Sequence, residues 1–406
     1  MRNLCFFLLL VNSSIFLSCS SGDKTKSEES KDGLEIIQVD LSEAREGKLS
    51  EFFEPEIEYI WLRDDVEDGQ LAGGLQKLFF HKNKIFTLDV YDCECVKIFD
   101  NTGKYLSKLY AYGEGPGQYL EFDDAIIVGE EILLLGIYPP KQMWFSIDGK
   151  FLREEKLDKP IDTGVYSEYD KRYYFYSDTR EPGEYFVESV SESFQDTVRS
   201  LPFREDGYYG NFSTRKVFRK SVKQLYFAMP FNDTIYEVKS GQVSPQLVFD
   251  YGSYSQSIDE LRSNSETLNL LQELDFINKK AQLYFVPNNW FINKSQLYSK
   301  FTYQEESYNV FFDRQSQNTS VIKGRITDDL NEGFNPYSIL YQFEEEKVGF
   351  TLPGKTLFEE LQKKKAELGQ DGFEEYVRGK GKNFAKVATA AKDSENPVLI
   401  VYTVKK

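Results

Sequence analysis

Two stretches of the chain decide its fold: residues 84–113, KIFTLDVYDCECVKIFDNTGKYLSKLYAYG, and residues 131–157, EILLLGIYPPKQMWFSIDGKFLREEKL. Each reads as an apolar strand, a short turn, a second strand, a glycine-containing hairpin and a third strand. In NTGK and IDGK, Gly103 and Gly149 supply the positive φ that tight hairpins demand. Self-similarity at this spacing is the signature of four-stranded propeller blades. Weaker copies follow as YYFYSD from Tyr173, LYFAMPFNDTIYEVKSGQ from Leu225, QLYSKFTYQEESYNVFFDRQSQ from Gln296 and VGFTLPGK from Val348. The second-strand starts at 85, 132, 173, 225, 297 and 348 predict six units. The expected fold is therefore all-β, a six-bladed β-propeller.

The uneven spacing comes from two inserts, near 257–280 and 355–391, whose apolar residues fall at helical intervals. They predict helices laid against the propeller. A ring of blades exposes edge strands unless one terminus completes the last blade. The alternating LEIIQVD at 34–40 is the expected closing strand, paired with NPVLIVYTV at 396–404.

Composition supports this reading. The chain has 406 residues, of which Phe, Tyr and Trp make 16%, and such side chains favour pleated, half-buried surfaces. A net charge of −17 excludes nucleic acid as a partner, because phosphate binding needs a clustered basic surface. With His81 as the sole histidine, a His-rich zinc site or a Ser-His-Asp triad has little to work with. No cofactor is expected, save that some of the carboxylates are suited to calcium. Cys93 and Cys95, in DCEC, are expected as two free thiols in a tight turn, since a bridge across one residue strains the chain; the strained bridge is the alternative.

The N-terminus answers where the protein resides. Arg2 precedes the apolar CFFLLLV, a length suited to an export signal and too short for a membrane span. Small Ser18 then precedes Cys19. Residues 1–18 are the expected signal, and residues 19–33, almost wholly polar, the expected flexible tether. The propeller occupies 34–406. Phe16-Leu17-Ser18-Cys19 resembles the lipobox of bacterial lipoproteins, which implies cleavage before Cys19 and acylation of that residue. Several acyl chains anchor firmly where one binds reversibly.

Together with that lipobox, the hairpin VKIFDNTGKYLSKL, the following YAYGEGPGQY and the terminal ENPVLIVYTVK resemble the six-bladed β-propeller lipoproteins of Bacteroidetes. These are NHL-like propellers often described as domains of unknown function. The chain departs from their pattern at Gln118 and at Glu395, where acidic and Asp residues are usual. The resemblance implies the fold and a cell-envelope location, lipid-anchored to the outer membrane and facing the periplasm or the surface. It implies no catalytic residues.

Chemistry is sparse. GEGPG at 113–117 lacks the lysine and helix of a phosphate loop and reads as a turn. Asp123 and Asp124 are adjacent on a strand, so they point to opposite faces and do not form a catalytic pair. Aromatics flanked by Gly, Asn and acidic residues make the cheapest binding signature, which selects Tyr208 and Tyr209 in REDGYYGNFSTR, with Tyr112 and Glu114 beside the glycine-rich turn. The leading expectation is a non-catalytic propeller that binds a glycan, a peptide or a protein partner at one end of its channel. The alternatives are a carbohydrate-active lyase or hydrolase on the same scaffold, and an assembly subunit of an outer-membrane complex that uses the helical inserts.

Overall fold

The structure, a computed structural model, describes residues 33–406 apart from 72–74, 211–214, 222, 266–267 and 281–282. The expected signal, Cys19 and the tether up to residue 32 lie outside the described residues.

The strands form six sheets, each with four antiparallel strands in sequence order except where the termini meet. Sheets 1 to 5 cover residues 75–109, 121–156, 163–202, 218–250 and 290–323; sheet 6 is built from 341–342, 347–353, 397–404 and 53–61. Their second strands start at Lys84, Glu131, Arg172, Gln224, Gln296 and Lys347, each one residue before the position read from the repeat. Gly103 and Gly149 adopt φ of +81° and +84° in the expected hairpins.

Packing follows from the patterning. Second strands are buried on both faces, as in Ile85–Asp89 of the first sheet, so their sequences are nearly continuous apolar runs. Outer strands are shallow: Phe151–Lys156 buries none of its six residues. Aromatic side chains fill the spaces between sheets, and six clusters join them in turn. Phe86 and Val96 of sheet 1 meet Phe122 and Phe145 of sheet 2. Trp144 then packs with Tyr173 of sheet 3, and Tyr174 with Phe227 of sheet 4. Tyr226 packs with Trp290 of sheet 5, and Phe311 with Val348 and Tyr402 of sheet 6. The circuit returns to its start where Leu399 and Val401 meet Ile85 and Phe99 of sheet 1. No single sheet closes on itself. The arrangement is propeller-like and all-β.

Two expectations are corrected. The strand Glu35–Gln38 does not pair with the C-terminus; it runs parallel to Gln242–Asp250 as a fifth strand of sheet 4, tied down by Arg314 on Glu35 at 2.9 Å. Completion of sheet 6 falls to Phe53–Trp61, paired antiparallel with Pro397–Val404. Cys93 and Cys95 are bridged rather than free. Glu94 between them adopts φ +49°, folding the turn until the two Cα atoms stand 5.1 Å apart, inside the usual disulfide range.

The inserts are helices, Ile258–Ser265 with Leu270–Lys280 and Gly354–Arg378 with Lys382–Ala390. The second pair buries Leu357, Leu361, Phe384 and Ala388 against Val398 of sheet 6. Following the strand order, both inserts leave the sheets at the end opposite the first-to-second-strand hairpins 81–84 and 167–172. No described helix is long and apolar enough to cross a membrane.

Candidate functional site

The first strands of sheets 1 to 4 and of sheet 6 converge on a cavity of about 1120 Å³. Its walls are apolar where Phe79, Phe80, Phe218, Tyr341 and Phe343 face it, and charged where sheet 4 enters. RKVFRK, residues 215–220, leads into and forms the strand Phe218–Ser221, so one short segment delivers Arg215, Lys216, Arg219 and Lys220 to the same space.

These cations have different partners. Arg215 pairs with the Asp123 carboxylate and donates from Nε to the Asp123 carbonyl at 2.6 Å. Lys216 donates to the Leu340 carbonyl at 3.1 Å and sits 4.5 Å from the centre of the Tyr341 ring, a cation–π contact. Burial, then the nearby Arg219, pushes its ammonium down to about 7. Arg219 lies over the Trp290 ring and donates to the carbonyls of Trp290 and Phe218 at 2.9 and 3.0 Å. Burial lowers it to about 9, which leaves it cationic at neutral pH. Lys220 is exposed toward the cavity it lines; the surrounding protein lowers its ammonium, against the pull of Glu168.

Opposite this strand, Asp124 is completely buried and serves as a joint between sheets. It accepts both contacts of Lys77 Nζ at 2.9 Å, the Thr163 hydroxyl at 2.5 Å and the Gly164 amide at 3.1 Å. Asp123 and Asp124 thus serve different partners, as the strand geometry implies. Asp123, Asp162 and Asp178 are each raised, first of all by burial. Among the described residues, no three His, Cys, Asp or Glu side chains gather to hold a metal ion. His81 bonds the Gly129 carbonyl at the hairpin rim.

The aromatics selected from the sequence divide into two kinds. Tyr208 is only 7% exposed and is no stacking platform: its hydroxyl donates to Glu273 at 2.5 Å and its ring meets Phe231 edge-on, fastening the first helical insert. Tyr209 packs between Phe186 and Phe203 beneath Arg180. Tyr112 is half-exposed and lies parallel to the equally open Tyr110, with Glu114 exposed on the same turn. That turn is fixed by Gln118, which accepts from the Gly115 amide, and by Glu154, which accepts from the Gly117 amide. The structure therefore does not bring Tyr208 and Tyr209 together with Tyr112 and Glu114 in one site.

The chain matches the domain of unknown function DUF4934 over residues 34–403. It belongs to that family. Among solved structures, it is similar to a Bacteroides fragilis protein named for its inferred export: the two share 18% identity, with a TM-score of 0.70, covering 91% of this chain and all of the other. A DUF4221 member from Bacteroides vulgatus aligns at 9% identity and a TM-score of 0.48, over 87% of this chain and 98% of its own. A Bacteroides thetaiotaomicron protein of unknown function aligns at 9% and 0.41, over 86% and 76%. No curated protein matches.

Within this DUF4934 member the cavity cations are what sequence reasoning missed. Their signal is RKVFRK itself, a basic run inside a chain of net charge −17.

Proposed function

We propose that this DUF4934 protein is a six-bladed β-propeller of the cell envelope that binds a ligand in its axial cavity and does not turn it over. The six sheets with their circuit of inter-sheet clusters support the blade count. The N-terminal sequence and the Bacteroides neighbour named for export support an envelope location, with Cys19 as the lipid attachment point on the outer membrane. The observation that carries the binding reading is the cavity: it is large enough for a short oligosaccharide or peptide and has apolar walls with a few convergent polar groups, the usual make-up of a ligand site.

The test is a glycan and peptide array probed with the full chain, with and without calcium. A specific hit weakened by Tyr341→Ala and kept by Tyr112→Ala places the ligand in the cavity. A hit lost only in Tyr112→Ala moves the site to the exposed tyrosine pair. A ligand consumed during the incubation sinks the non-catalytic reading in favour of a lyase or hydrolase.

A further inference from the structure

We infer that the cavity takes a compact carboxylate, received by Arg219 and Lys220 with Lys216 beside them; this rests on the proposal that the cavity is the binding site. Three basic side chains from a six-residue run, Lys216, Arg219 and Lys220, share one confined space. Arg219 and Lys220 have no carboxylate within ion-pair distance among the described residues. The contrast with their neighbours is sharp. Lys77 is matched by Asp124 and Arg215 by Asp123, both at ion-pair distance.

Arg219 shows how an anion would be met. Its Nε and one bond from Nη1 are spent on the carbonyls of Trp290 and Phe218, which lock the guanidinium against the Trp290 ring. Nη2 has no acceptor among the described residues, so the far end of the fork remains for an incoming planar oxygen pair. The Lys220 ammonium makes no hydrogen bond to the described residues, and Gln342 fixes its backbone carbonyl at 3.2 Å. A cation taken out of bulk water without a counter-charge is costly, and a bound anion offsets that cost.

The rest of the wall restricts the anion. Glu168, Glu237, Glu344 and Glu345 also line the cavity, with Glu345 accepting from the Ser221 hydroxyl. An extended polyanion or a polyphosphate meets those carboxylates; a single carboxylate at the Arg219 end does not. The apolar faces of Phe80, Phe343 and Tyr341, stacked in sequence at 5.1 and 5.7 Å, suit a carbon skeleton or a sugar ring attached to it. A uronic acid is the simplest probe that carries both features.

The experiment is calorimetric titration of the full chain with a trisaccharide that carries one terminal uronic acid on two neutral sugars, its methyl ester and inorganic phosphate. The acid is expected to bind, with the ester and phosphate weaker by roughly tenfold or more. Lys220→Gln and Arg219→Gln should each weaken the acid about tenfold, and Lys82→Gln, on the outer hairpin rim, should leave it unchanged. Because Arg219 also holds Trp290, Lys220→Gln is the variant that separates charge from folding. Equal binding of acid and ester, or no binding of the acid, overturns the carboxylate. A neutral probe whose binding survives Lys220→Gln and is lost in Tyr341→Ala overturns the anion and keeps the cavity. A probe indifferent to both variants overturns both.

Discussion

Asn396 ties the C-terminal strand of sheet 6 to the segment that leads into sheet 1. It sits just before the C-terminal strand, 1% exposed, and reaches across to the segment that joins the closing strand to sheet 1. Its Nδ2 donates to the carbonyls of Leu62 and Gly69, both at 2.8 Å, and its Oδ1 accepts from the Leu71 amide at 2.7 Å. Asn396→Ala removes all three bonds and strands three backbone groups in a dry setting. Each orphan costs about 1–3 kcal/mol, and one water entering the vacated space recovers part of this, so the loss is about 3–5 kcal/mol. With an unfolding entropy of about 2 cal/mol/K per residue, that is a fall in Tm of roughly 4–6 °C for a domain of this length. Asn396→Asp should lose at least as much at neutral pH: the carboxylate keeps the Leu71 amide but faces two carbonyl oxygens. The assay is thermal unfolding, with limited proteolysis reporting new cuts between 62 and 71. Gln118→Ala, which removes one exposed bond in the glycine-rich turn, is the control and should move Tm by less than about 1 °C. If Asn396→Ala changes Tm as little as this control does, the latch does not hold sheet 6 to sheet 1.

Tyr208→Phe should cost about 1.5–3 kcal/mol, because the hydroxyl serves a carboxylate inside the protein, and should raise amide hydrogen exchange across 258–280; unchanged exchange there means the insert is held otherwise. Asp233 is buried, and burial raises its carboxyl to about 6 despite the Phe285 amide it accepts. A folded-state pKa above the unfolded one gives stability that is complete below about pH 4 and lost as pH rises through 6. Asp233→Asn should therefore gain on the order of 1–3 kcal/mol over the parent at pH 8 and nearly nothing at pH 4, read from denaturant midpoints; an equal effect at both pH values refutes the assignment. Gly103→Ala and Gly149→Ala test two similar hairpins in different surroundings. Both force a side chain into positive φ at about 1 kcal/mol, but a Cβ at Gly103 would lie 1.9 Å from the Trp61 carbonyl, whereas at Gly149 the nearest atoms are 3.9 Å away. Gly103→Ala should lose about 2 kcal/mol more by thermal unfolding, and equal losses would show that the hairpin does not bear on the closing strand.

The repeat was legible because each unit has an apolar second strand and three of them, sheets 1, 2 and 4, add a hairpin with a positive-φ glycine at Gly103, Gly149 and Gly241. Both leave marks in a single sequence. Closure was half legible. The C-terminal strand is continuous and apolar, but FEPEIEYIW, its true partner, contains Pro55 between Glu54 and Glu56, which reads poorly as a strand. On an outer edge those residues are in place. Proline needs no ladder partner there, exposed glutamates discourage pairing with another chain, and Glu54, Pro55 and Glu56 are all exposed. Glu35–Gln38 alternates more regularly and was the natural choice, yet it lies on the outside of sheet 4. Regular alternation identifies a strand and says nothing about its neighbour.

The site was harder to read for a related reason. GYYG looks like an exposed loop because its local company is Gly, Asp and Asn, but Tyr208 finds its partner in Glu273, 65 residues away. RKVFRK looks like ordinary surface charge because only the convergence of the sheets turns it toward a cavity. Phe218 packs in the aromatic cluster with Phe227, and the next residues of the same first strand, Arg219 and Lys220, line the cavity. A basic run on a first strand therefore differs in kind from KKK at 363–365, where Lys363 and Lys364 pair with Glu360 and Glu367 on the helix itself. The helical lysines find their counter-charges on the same element; Arg219 and Lys220 have no carboxylate at ion-pair distance among the described residues, Glu168 acting on Lys220 only from further off, and that difference makes the cavity cations the place to look for a ligand.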